Sequence, residues 1–243
     1  MQPSHLRVQT SEGVCRITLG GGLMTPGAAR ELSRVATELV EDRSVRAVVI
    51  DSSGPDFCSG LAEGFDPLER GANPTIALAE IRVPVVAMLR GEVMSVGLEI
   101  ALTADFRLAS PDAVLGLPDV GEGRLPSWGG TQRLTRTIGA SEALRMLLLC
   151  QPVSAARALE VGLVHEVVSD PASRCDELLA QWAARSPLAL EYAKEAVLAG
   201  SELRMREGLG LEADLNTLLQ VSADRAEGIS AFLEKRSPTF TGR

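Results

Sequence analysis

Short β-branched runs alternate with amphipathic segments over the first 190 residues, and the remainder is helical in pattern. Val14-Cys15-Arg16-Ile17-Thr18-Leu19 alternates apolar and polar positions and ends at Gly20-Gly21-Gly22, which predicts a strand and a sharp turn. Pro26 then opens a helix in which Leu32, Val35, Ala36, Leu39 and Val40 recur at three- and four-residue spacing to form one buried stripe. Ala47-Val48-Val49-Ile50 is continuously apolar, the pattern of a strand covered on both faces in a parallel sheet. Together these make a strand-helix-strand unit.

Pro84-Val85-Val86-Ala87-Met88-Leu89 predicts the next strand, after which GEVMSVGLEIALTAD turns into a helix. Phe106-Arg107-Leu108-Ala109 and Ala113-Val114-Leu115-Gly116 read as short strands around a Pro111-Asp112 turn, and with them the sheet is complete. Helical segments follow at 129–137, 141–149 and 154–160, the last two capped by Ser141 and Ser154. Ser186-Pro187 marks the boundary between a core of residues 1–186 and a helical region of residues 187–243, because serine-proline disfavours helix continuation and proline suits a first turn. No internal repeat is visible.

A chain of 243 residues, 45% hydrophobic and 23% charged, has enough apolar surface for a generous core, which excludes global disorder. The net charge of −8 comes without basic runs and so argues against nucleic acid or a membrane surface as partner. No positive start followed by an apolar stretch predicts a secretory leader, and LRMLLLC falls well short of the roughly 18 to 20 apolar residues that span a bilayer. Cys15, Cys58, Cys150 and Cys175 are scattered without a CxxC pair, the usage of reduced thiols in a cytoplasmic protein rather than of a zinc site or disulfide framework. Of the two histidines, His5 sits in a frayed terminus and His165, in GLVHEVV, reads as a satisfied histidine at a strand edge rather than a catalytic base.

Three loops stand apart from ordinary packing. Asp56 to Gly64 follows the buried strand, and its Gly60 allows a close backbone approach to a ligand, or simply a tight turn. Ser95-Val96-Gly97 leads into a helix bearing Glu99, which either complements the helix dipole or stands beside an oxyanion held at the free amides. Leu117 to Gly123 carries Asp119 and Glu122, and two carboxylates gathered by a fold can divide acid and base roles, though a loop aspartate is often only solvated. Cys58, with no histidine near it in sequence, reads as a small buried residue.

FCSGLAE, GEVMSVGLEIALTAD, LPDVGEGRLPSWGGTQRLTRTIG, ALEVGLVHEVV and DRAEGISAFLEKRSPTF occur in an order that resembles the enoyl-CoA hydratase/isomerase family of the crotonase superfamily, almost end to end. That resemblance implies an α/β, crotonase-like spiral of repeated β-β-α turns followed by C-terminal helices that pack a homotrimer or homohexamer. It also implies an acyl-CoA substrate, no metal, and no cofactor apart from the coenzyme A carried by the substrate. The backbone amides of Leu61 and Val96 then hold the thioester carbonyl, while Glu99 and Asp119 grip one water, hydrating a 2-enoyl-CoA to a 3-hydroxyacyl-CoA in fatty acid metabolism. Coenzyme A would lie along Cys58, Ser59, Gly60 and Leu61, with Phe232 and Lys235 at the pocket mouth of the same or a neighbouring subunit. Isomerase, decarboxylase or hydrolase chemistry, or a catalytically weak CoA-binding subunit, are the alternatives on the same scaffold.

The chain departs from the family pattern in three places. Asp119 stands where hydratases usually have glutamate, shortening the side chain by one C–C bond, about 1.5 Å; Glu122 is the candidate to make up that reach if its loop coils. Ser95-Val96 replaces consecutive glycines, and valine narrows the approach. The segment between Gly64 and Ile81 is short, with Trp128 available to replace part of the acyl-pocket wall or to pack between helices.

Overall fold

The computed structural model describes residues 5–243 and divides into two compact units, one running to residue 81 and resuming at 85–175, the other made of residues 82–84 and 176–243. In the first unit the elements run β1 (Arg7–Ser11), β2 (Val14–Leu19), β3 (Leu23–Met24), α1 (Pro26–Glu41), β4 (Ala47–Ser52), β5 (Gly60–Leu61), α2 (Thr75–Glu80), β6 (Val85–Leu89) and β7 (Glu92–Met94). They continue with α3 (Val96–Ala101), β8 (Phe106–Ala109), β9 (Val114–Gly116), a 3-10 turn over Pro118–Glu122, α4 (Gly130–Leu149), β10 (Val153–Ser154), α5 (Ala155–Glu160) and β11 (Glu166–Val167).

A six-stranded sheet has the order β1-β2-β4-β6-β8-β11 and is parallel throughout except for β1. Each circuit of the chain sends one strand to this sheet, one to a smaller sheet (β3 with β5, or β7 with β9) and then turns into a helix. That is the β-β-α spiral. All six residues of β4 are buried, since β2 and β6 flank it and both of its faces are covered. Thr25 caps α1 by accepting from the Ala28 amide, and the stripe of Leu32, Val35, Ala36 and Leu39 is buried as its spacing predicts.

Six strands lie outside the sequence reading, among them the two-residue β3 and β5, which pair with each other. β1 pairs antiparallel with β2 through a two-residue turn in which Glu12 and Gly13 both have positive φ (50° and 77°), the geometry that suits a tight hairpin. β7 separates β6 from α3, β10 joins β9, and β11 extends the main sheet, which is therefore not complete at Gly116. The break expected between residues 137 and 141 falls at Gly139 (φ 77°, ψ 160°), inside α4. Ser154 does cap α5, accepting from the Arg157 amide. His165 accepts from the Arg107 amide at 3.1 Å and stacks on Phe106 with ring centroids 4.6 Å apart. Burial and the Arg107 charge push its pKa down to about 4, so it is a neutral, satisfied side chain.

From residue 176 the second unit takes in the rest of α6 (Pro171–Ala183), then α7 (Pro187–Ser201), α8 (Met205–Gln220) and α9 (Ala223–Glu234). Ser186 caps α7 through the Ala189 amide and also donates to buried Asp224, which accepts from the Thr241 and Gly242 amides as well. Arg82 pairs with Glu191 at 2.7 Å, and Lys194 donates to the Val83 carbonyl.

Candidate active site

Two loops of the first unit meet backbone to backbone. Cys58 forms a parallel bridge with Val93; its amide donates to the Glu92 carbonyl, and its own carbonyl accepts from the Met94 amide. Gly97 is required by this closeness, because a Cβ there would lie 2.5 Å from the Cys58 carbonyl oxygen. Since the two segments run in the same direction, Leu61 and Val96 each come three residues after the bridge, Leu61 in β5 and Val96 opening α3. The Cys58 thiol is buried, which pushes its pKa up to about 11, and it has no nucleophilic character at neutral pH.

α3 carries Glu99 fully buried in its first turn. One carboxylate oxygen, Oε1, accepts from the Trp128 and Gly130 amides, both at 2.7 Å. A Cβ on Gly130 would approach that oxygen to 2.9 Å, so glycine lets the main chain come this near. Burial pushes the Glu99 pKa up to about 7 against the pull of those amides, and the neighbouring Asp119 charge adds to the rise. A value near neutrality suits a base that must both take and release a proton.

Asp119 reaches the same place by another route. Met94 pairs with Gly116 across β7 and β9, the Ser95 amide donates to the Gly116 carbonyl, and the chain then coils into the 3-10 turn that buries Asp119. Ser95 Oγ donates to Asp119 Oδ1 at 2.5 Å. Arg124, partly exposed, lies 3.9 Å from the same oxygen. The other two carboxylate oxygens, Glu99 Oε2 and Asp119 Oδ2, are buried and have no hydrogen-bond partner. Buried acceptors are rarely left so, and a pair on neighbouring groups marks a place for a proton-bearing ligand.

Trp128 is buried. Its ring meets Phe65 edge-on at 6.2 Å, its indole N–H donates to the Pro67 carbonyl, and its own carbonyl accepts from Thr75 Oγ1 and Arg133. It therefore ties the short turn before α2 to the wall beside Glu99 rather than packing only between helices. Leu61 and Ser59 are partly exposed, while Gly60 and Val96 are buried. Glu122 is not brought to the pair: its loop coils as expected, but the side chain is 61% exposed and engages Arg124. Phe232 and Lys235 belong to the second unit, Phe232 exposed on α9 and Lys235 at its C-cap. Three contributions escaped the sequence reading: the Ser95 hydroxyl and the Trp128 and Gly130 amides. The Gly129-Gly130 doublet at a helix start was the one available signal. No group of three histidine, cysteine, aspartate or glutamate side chains capable of holding a metal occurs among the described residues.

Residues 9–243 match the family model described as enoyl-CoA hydratase/isomerase. The chain belongs to this family. The Escherichia coli 2,3-dehydroadipyl-CoA hydratase is 36% identical over 224 residues, covering 88% of this chain and 86% of that protein. An enoyl-CoA isomerase/hydratase of Mycosarcoma maydis is 33% identical over 211 residues, 82% of this chain and 77% of that one. Among solved structures, an enoyl-CoA hydratase from Bacillus anthracis superposes with a TM-score of 0.92 at 29% identity, covering 99% of this chain and all of that one. Membership of the enoyl-CoA hydratase/isomerase family makes the protein an enzyme of the crotonase fold.

Proposed function

We propose that the protein adds water to a 2-enoyl-CoA to give a 3-hydroxyacyl-CoA. The observation that carries this reading is the pair of buried, unpartnered oxygens on Glu99 and Asp119. Two adjacent acceptors can take both protons of one water, and relatives that include hydratases within this hydratase/isomerase family support water as that ligand. The amides of Leu61 and Val96 polarise the thioester carbonyl, so that negative charge arriving at its oxygen during attack is stabilised; losing one such donor commonly costs about 100- to 1,000-fold. The water oxygen bonds to C3 with Glu99 as base, and the displaced proton passes through the carboxylate pair to C2 by way of Asp119. One water is consumed and both carboxyl groups return to their starting state. No metal or further cofactor enters this scheme, since coenzyme A arrives as part of the substrate.

Several features support the rest of the assignment. A hollow of about 200 Å³ lined by Gly21, Met24, Phe57 and Cys58, among others, lies at the loop assigned to coenzyme A through Cys58, Ser59 and Gly60. Exposed apolar residues on the C-terminal helices, including Leu209, Leu218, Val221, Phe232 and Leu233, support assembly into a homotrimer or homohexamer through residues 187–243. None of the four cysteines forms a disulfide, which supports a cytoplasmic enzyme, and no described helix is long and apolar enough to cross a membrane.

Purified protein mixed with crotonyl-CoA should remove the conjugated enone absorbance. Creation of that absorbance from a β,γ-enoyl-CoA, without hydration of crotonyl-CoA, would replace the reading with isomerisation. Binding without either change would make the chain a CoA-binding subunit.

A further inference from the structure

Ser95 is held in a backbone conformation that side chains disfavour. Its φ of 50° and ψ of −122° lie where glycine is the natural occupant. The main chain leaves it no freedom to relax: the Ser95 amide donates to the Gly116 carbonyl at 2.9 Å, and its carbonyl accepts from the Glu99 amide at 3.1 Å. The fold thus bears the strain of a Cβ at this point, and the group bought by it is a hydroxyl. Ser95 is buried, as is Asp119, and the 2.5 Å bond from Ser95 Oγ to Asp119 Oδ1 fixes which oxygen of that carboxylate is tied down and which is left open.

We propose that Ser95 is a positioning residue for Asp119, holding Oδ1 so that Oδ2 meets the reacting water and C2 of the substrate. The inference rests on the hydration reading and deepens it. Asp119 has a short side chain with two rotatable bonds, and the backbone amides that steady Glu99 have no counterpart at Asp119; the serine hydroxyl supplies the missing restraint. Ser95 touches neither water nor substrate in this scheme and acts only through Asp119.

Three variants test it. Ser95→Ala keeps the Cβ and the strained backbone but removes the hydroxyl, while Ser95→Gly removes both. Both should lose about 10- to 100-fold in kcat on the enoyl-CoA hydrated by the wild type, with KM changed less than about threefold. They should agree with each other in kcat although Ser95→Gly melts higher than Ser95→Ala by about 2–4 °C, because only the glycine relieves the backbone. In the double variant Ser95→Ala/Asp119→Asn, kcat should fall no further than in Asp119→Asn alone. A Ser95→Ala enzyme within twofold of wild type, or a double variant whose losses multiply, overturns the proposal. Failure of the wild type to hydrate any enoyl-CoA would count against the function and not against Ser95. Crystal structures of wild type and Ser95→Ala decide the positioning role independently: displacement of the Asp119 carboxylate by about 1 Å or more supports it, and an unmoved carboxylate refutes it.

Discussion

The walls around Glu99 and Asp119 hold two carboxylates of one site by different means. Glu99 is gripped by main-chain amides of Trp128 and Gly130 at the start of α4, whereas Asp119 is hydrogen-bonded by a single side-chain hydroxyl, with the partly exposed Arg124 at 3.9 Å from the same oxygen. An anchor made of peptide groups survives most substitutions around it and fails only where a side chain intrudes between backbone and carboxylate. An anchor made of one hydroxyl is lost by one substitution. Rigidity is thus built into one half of the pair by topology and into the other by residue identity.

The largest effect should come from Glu99→Gln, which keeps the amide contacts but abolishes the base, lowering kcat by about 1,000-fold or more. The same variant separates activity from stability. Glu99 has a folded-state pKa raised to about 7 from 4.5, so the folded protein holds the proton more tightly than the unfolded chain. That stabilisation is present in full below 4.5 and is lost as pH rises through 7. Glutamine has no proton to lose, so Glu99→Gln should melt at or near the wild-type temperature at pH 4 and above it at pH 8, by the equivalent of on the order of 3 kcal/mol. A variant no more stable at pH 8 than at pH 4, relative to wild type, would contradict the burial argument.

Asp119→Asn should cost about 100-fold in kcat. It should also move the acid limb of the kcat/KM profile, expected to rise through about pH 7 in the wild type, to lower pH, because a negative neighbour of Glu99 has gone. A limb that stays in place would mean that the two carboxylates do not communicate. Gly130→Ala tests the peptide anchor directly: its methyl would press on Glu99 Oε1 and on Pro126, and turnover should fall about 10-fold or more with a clear loss of melting temperature. Glu122→Gln marks the bottom of the scale. Being exposed and paired with Arg124, it should leave kcat within about twofold.

In the main sheet β4 and β6 were legible because covered parallel strands write continuous apolar runs, as 47–50 does, and β2 because its buried and half-buried positions alternate. β1 was not, since all five of its residues are exposed and carry no inward face to pattern. β10 and β11 are two residues long, too short for any period. At the site, Glu99, Asp119 and the loops bearing Leu61 and Val96 stood out through local features and the family resemblance together. The Ser95 contact did not, for it is created by the register of β7 on β9, which brings residues 24 apart in sequence within a hydrogen bond. Glu122 misled for a related reason: coiling of its loop was foreseeable, but the direction in which the coil turned it was not.

Gly97 has a further consequence for how such a protein can diversify. Where it lies against Cys58, peptide touches peptide with no side chain between. The gap separating the segments that lead to Leu61 and Val96 is therefore set by van der Waals radii of main-chain atoms, a ruler that mutation of neighbouring side chains does not lengthen or shorten. Side chains away from this contact, Trp128 and Phe65 among them, are free of that constraint, so their shapes can change while the spacing of Leu61 and Val96 stays fixed.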